Sequence, residues 1–87
     1  MSVNVRRLTL LTRAYCHLCD DMRAALEPLA RRHAAQIREI DVDADAALEA
    51  RFGDAVPVLL SGDLDGGVEL CRYVLDVPRV EAALALA

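Results

Sequence analysis

Lysine and tryptophan are missing from this 87-residue chain, and aromatic residues make up only 3% of it. With Phe52, Tyr15 and Tyr73 as the only large rings, a core has to be assembled from Leu, Val, Ile and Ala. All fixed positive charge comes from ten arginines set against fourteen acids, a formal net charge of −4. The arginines are scattered among the acids and form no stripe, which argues against the cationic footprint of a nucleic-acid binder. No apolar run approaches the ~20 residues of a membrane span, and the apolar segment near the amino terminus is too short for a secretory signal. A cytoplasmic, monomeric protein with no membrane or nucleic-acid partner is therefore expected. Cysteine is sparse as well: three residues, two of them in one motif, do not make the disulfide framework of a small secreted domain. The length suits a single domain over residues 1–87, enough for a four-stranded sheet and a few helices.

What is present is the stretch Leu8 to Met22, LTLLTRAYCHLCDDM, in which an apolar strand runs into Cys16-His17-Leu18-Cys19 and then into a helix. Two thiols at this spacing can close a small disulfide ring. The first stands where unpaired backbone N–H groups and the positive end of the helix dipole favour a thiolate, and the second lies one turn inside as a resolving thiol. In a βαβ-like chain such a pair reads as a redox motif of thioredoxin type.

Residues 6–12 are β-prone, apolar at the centre and free of Gly and Pro, as in a strand covered on both faces. After the cysteine pair, Leu18, Met22, Ala25, Leu26, Leu29, Ala30 and His33 fall on one helical stripe, with acids early and arginines late. Pro28 inside that stripe predicts a kink near Ala24 to Pro28. Ile37 to Val42, with Ile40 and Val42 alternating with charges, predicts an edge strand. Asp43 or Asp45 offers a cap for a short helix that Gly53 stops. Val56 to Leu60 predicts a third strand opening on Pro57, and the Gly/Asp cluster Ser61 to Gly67 predicts a hairpin into an antiparallel strand from Val68 to Val74. Asp76 caps a last helix with Pro78 in its first turn and Val77, Val80, Ala83 and Leu84 inward. The order is β-α-β-α-β-β-α, an α/β fold with a four-stranded mixed sheet flanked by helices.

A strand ending in Cys16-His17-Leu18-Cys19, a βαβ unit after it, Val56-Pro57 opening a third strand, and a hairpin with a closing helix together resemble the glutaredoxin branch of the thioredoxin superfamily, from Leu8 to Leu86. The resemblance implies a glutaredoxin-type thioredoxin-like fold. It also implies that Pro57 is cis and faces the cysteine pair, and that the peptide bond at Val56 pairs with the substrate backbone. Arg13, three residues before Cys16, takes the place of a basic residue that attracts the glutathione carboxylate and supports the thiolate. Asp76 stands near the position that holds the glutathione amino end. Ala55 replaces the Thr usual before the Val-Pro pair, Gly66-Gly67 falls in the hairpin turn, and His-Leu replaces Pro-Tyr between the cysteines.

The implied activity is thiol-disulfide exchange with Cys16 as nucleophile and Cys19 as resolving thiol, on glutathione mixed disulfides or protein disulfides. No cofactor is required, and glutathione is the candidate reductant. His17 either favours the Cys16 thiolate by its charge or is a solvated spectator, while Asp20 and Asp21 oppose the thiolate. Two other readings use the same residues: a CxxC metal-binding module, since thiolate pairs bind soft metals, and a non-catalytic thioredoxin-fold adaptor. Cys71 reads as a small buried hydrophobe and His33 as a helix-end residue. Asp41, Asp43 and Asp45 read as caps and solvated turn residues, because the glycine and the twelfth-position glutamate of a calcium loop are missing.

Overall fold

Leu8, Thr9, Leu10, Leu11 and Thr12 are all buried, so their strand must be covered on both faces and both edges. A computed structural model shows how. It describes residues 6–86, Leu86 by its backbone alone. The elements are β1 (Arg6–Thr12), α1 (His17–Arg32), β2 (Ala35–Asp41), a 3₁₀ turn (Val42–Ala44), α2 (Ala46–Phe52), β3 (Val58–Ser61), β4 (Val68–Arg72) and α3 (Val77–Leu86). The sheet order is β2-β1-β3-β4. β1 pairs in parallel with β2, with Leu10 opposite Glu39, and antiparallel with β3, with Leu11 opposite Val58. The β-α-β-α-β-β-α order and the mixed four-stranded sheet expected from the sequence are therefore observed.

The period-two alternation of a strand sorts β1 into two cores. Leu8 and Leu10 join Met22, Leu26 and Leu29 of α1 with Val80 and Leu84 of α3. Leu11 faces the opposite way, into Val42, Phe52, Val58 and Leu60. Both clusters are aliphatic except for Phe52, as the scarcity of rings demanded. Each fully buried Leu contributes about 1.5–3 kcal/mol of transfer free energy. The buried hydroxyls are satisfied: Thr9 Oγ1 donates to the Gly62 carbonyl at 2.8 Å and Thr12 Oγ1 to Glu39 at 3.0 Å.

Several boundaries differ from the sequence expectation for local reasons. Pro28 lies inside α1, on its exposed side. Val42 does not continue β2 but opens the 3₁₀ turn, where it is fully buried. Asp45 caps α2, its carboxylate accepting from the Ala47 N–H at 2.8 Å, and Gly53 is the residue after its last turn. β3 begins at Val58, after a cis Val56-Pro57 peptide bond. β4 stops at Arg72 because Tyr73 adopts a positive φ of 67°, outside the strand region. Leu18, Ala25 and Val77, expected inward, are exposed and line an open groove.

Candidate active site at the head of α1

The β1 strand delivers Cys16 to the start of α1 through Arg13, Ala14 and Tyr15. Tyr15 turns the chain with a positive φ of 59°, a conformation that costs a non-glycine residue about 1–2 kcal/mol. Cys16 then has extended backbone and acts as the helix cap: its sulfur accepts from the Cys19 N–H at 3.1 Å. This is where a sulfur receives both an unpaired amide donor and the positive end of a 16-residue helix. The two cysteines are joined as a disulfide with Cα atoms 5.2 Å apart. They are unequal, since Cys19 is wholly buried and Cys16 only partly so.

The residues singled out from the sequence fall around this point in different ways. His17 is the exposed first residue of α1. Val56 and the buried Pro57 precede β3, and the pairing of Leu11 with Val58 brings them to the same sheet end as the cysteine pair. Arg13 is turned onto the α2 side. Its guanidinium grips Asp43 through two hydrogen bonds (2.7 and 3.2 Å) and donates to the Gly53 carbonyl at 3.1 Å. The hydrogen bonds and charge of Asp43 raise the Arg13 pKa, and Arg13 in turn holds the Asp43 carboxyl below its usual range. Asp76 caps α3, its carboxylate accepting from the Arg79 N–H at 3.2 Å. Asp41 and Asp45 accept from backbone N–H groups of their own turns, the capping role expected of them.

Two features were not read from the sequence. One is a network beneath the head of α1, where Arg23 Nε donates to Glu39 at 2.6 Å and its Nη1 to Asp20 at 2.8 Å. The other is an open apolar groove of about 280 Å³ beginning at Leu18, between α1 and the segment joining β4 to α3. The sequence expectation extended the last strand through the exposed run Tyr73-Val74; an apolar pair past the last polar residue of an edge strand is the signal that could have revealed the groove. Among the described residues, no group of three or more His, Cys, Asp or Glu side chains is placed to hold a metal ion. No helix among them is long and apolar enough to cross a membrane.

The family description "glutaredoxin-like domain" (DUF836) matches residues 7–85, nearly the whole described chain. The chain belongs to this family. Comparison with curated proteins returns no match. Among solved structures, this glutaredoxin-like domain is similar to protein Ne2328 of Nitrosomonas europaea, with 33% identity, a TM-score of 0.78 and 94% of each chain covered. It is also similar to the protein XcR50 of X. campestris, with 41% identity, a TM-score of 0.65, and 92% of this chain and 97% of that one covered. Thioredoxin 1 of Thermosipho africanus shares the fold at 18% identity, with a TM-score of 0.64 over 92% of this chain and 91% of its own. The glutaredoxin-like domain therefore has a thioredoxin-type fold, and with its Cys16–Cys19 pair it supports a redox-type module.

Proposed function

We propose that the protein is a thiol-disulfide oxidoreductase in which Cys16 is the nucleophile and Cys19 the resolving thiol. The observation that carries this reading is the asymmetry of the pair: Cys16, only partly buried, caps α1 and its sulfur accepts an amide hydrogen bond, while Cys19 is sealed one turn inside. In the reduced protein the Cys16 thiolate attacks one sulfur of a substrate disulfide, forming a mixed disulfide and expelling the other sulfur as a thiolate. Cys19 then loses its proton and attacks Cys16, so the second substrate sulfur leaves as a thiolate and takes up a proton. The substrate gains two electrons and the protein closes the Cys16–Cys19 bond. Glutathione, a small thiol reductant of the cytoplasm, is the candidate partner that reopens it, and no cofactor enters the cycle.

The sheet end shared by Val56-Pro57 and the cysteine pair supports a second part of the reading, that the Val56 peptide group lines the approach of the substrate backbone. Mixing the reduced protein with bis(2-hydroxyethyl) disulfide tests the proposal. The Cys19→Ser variant should accumulate a mixed disulfide on Cys16 detectable by intact mass, and Cys16→Ser should form none. Equal consumption of the disulfide by Cys16→Ser and the parent would overturn it.

A further inference from the structure

Among the described residues, four of the six exposed large hydrophobic side chains lie along one groove. Leu18 (45% exposed), Tyr73 (44%), Val74 (70%) and Val77 (42%) form the rim of the groove that starts inside the cysteine motif. Tyr15, the residue before Cys16, is fully exposed. Both tyrosines are held at positive φ, a strained setting for a ring-bearing residue. Tyr73 is pinned in it, its N–H donating to the Pro57 carbonyl at 2.9 Å and its hydroxyl to the Asp54 carbonyl at 3.2 Å. At about 280 Å³ the groove lies just under the roughly 300–1,000 Å³ of ordinary small-molecule sites, a size for one or two side chains of a larger partner.

The groove lining carries a single charged side chain, Asp21, and among the described residues Asp21 makes no ion pair. Three of the arginines nearest in the chain are paired with carboxylates, Arg13 with Asp43, Arg23 with Glu39 and Asp20, and Arg72 with Glu69, and the Arg79 guanidinium is turned to the Glu69 carbonyl. An anionic ligand such as glutathione, with two carboxylates to one ammonium, meets a free carboxylate here and no lining cation. A peptide with an apolar side chain and a positive charge meets complementary groups.

We propose that the substrate is a protein disulfide whose cysteine is flanked by an apolar residue and a basic one, the apolar side chain seated between Leu18, Tyr73, Val74 and Val77 and the basic one facing Asp21. Glutathione disulfide is then the poorer substrate. This rests on the oxidoreductase reading and follows the same electron balance: Cys16 forms the mixed disulfide with the peptide sulfur, Cys19 displaces it, and the peptide leaves as a thiol.

The test is a single-turnover measurement with the pre-reduced protein and three defined probes. These are the disulfide-linked dimer of the blocked tripeptide arginine-cysteine-leucine, the same dimer with glutamate for arginine, and glutathione disulfide. The arginine peptide should react about tenfold faster than either of the others at low ionic strength, with the gap between the two peptides shrinking as salt is added. Asp21→Arg should reverse the order of the two peptides; their ratio cancels any change in the Cys16 thiolate fraction. Val74→Ser, at a site exposed enough to leave the fold intact, should slow the arginine peptide several-fold. Glutathione disulfide reacting as fast as the arginine peptide, or a peptide order that Asp21→Arg leaves unmoved, would overturn the substrate assignment while the oxidoreductase reading stands. No reaction with any of the three would overturn both.

Discussion

The backbone N–H of Cys19 points at the sulfur of Cys16 from 3.1 Å, so the resolving residue of the pair also solvates the nucleophile. A sulfur so placed, at the positive end of α1, is stabilised as a thiolate once the disulfide is reduced. Alkylation of Cys16 in the reduced protein, followed by mass spectrometry against pH, should show a midpoint below the free-cysteine value of about 8.5. A midpoint at or above that value would remove the electrostatic basis of the proposed chemistry.

The third thiol should behave in the opposite way. Burial pushes the pKa of Cys71 up, opposed only in part by a hydrogen bond with the Asp76 backbone. Its alkylation at neutral pH should be at least about tenfold slower than that of Cys16. Because the folded pKa is raised, Cys71 contributes stability below its unfolded pKa, and that contribution is lost as pH rises through the folded one. Urea unfolding should therefore show an alkaline decline that is shallower in Cys71→Ala.

Glu39 governs an acid limb. Hydrogen bonds from Arg23, and secondarily from Thr12, hold its carboxyl below the ordinary value. A depressed folded pKa means stability present above the unfolded value and lost as pH falls through the folded one. The Glu39 side chain is 39% exposed, so solvent screening limits the effect to about 1 kcal/mol or less. Glu39→Gln should lower urea stability by that amount near neutral pH, and the difference from the parent should vanish well below pH ~4.

The hairpin between β3 and β4 separates two glycines with different duties. A Cβ on Gly67 would fall on the Asp63 carbonyl oxygen, whereas one on Gly66 would meet open space but at a φ of 80°. Gly66→Ala should cost about 1 kcal/mol from backbone strain alone, and Gly67→Ala more, in the range of about 1–3 kcal/mol, because backbone atoms must move. Thermal or urea unfolding of the two variants checks the order, and a larger loss at Gly66 would contradict it.

Much of this arrangement was legible in the order of residues. Residues 6–12, apolar at the centre and free of Gly and Pro, read as a strand covered on both faces, and Asp45 and Asp76 stand where their short side chains cap helices. The hairpin was equally plain, because a Gly/Asp cluster between two apolar runs indicates a turn. Legibility ended where a neighbour had to be known. Leu18, Ala25 and Val77 satisfy helical spacing as well as Met22 and Leu26 do, yet they face an open groove and not the core. Arg13 sits at the right distance from Cys16 in sequence, but its guanidinium is held by Asp43, thirty residues later.

Local chemistry along the chain determined the elements, their caps and the placing of a cysteine pair at a strand-to-helix junction. Backbone donors and side-chain periodicity act over a few residues, and that is enough for such features. Which sulfur stays open to solvent, which arginines are neutralised and which apolar side chains remain uncovered beside the disulfide were decided only in the folded chain. Those are properties of surfaces and charges brought together from distant segments, and no local spacing encodes them.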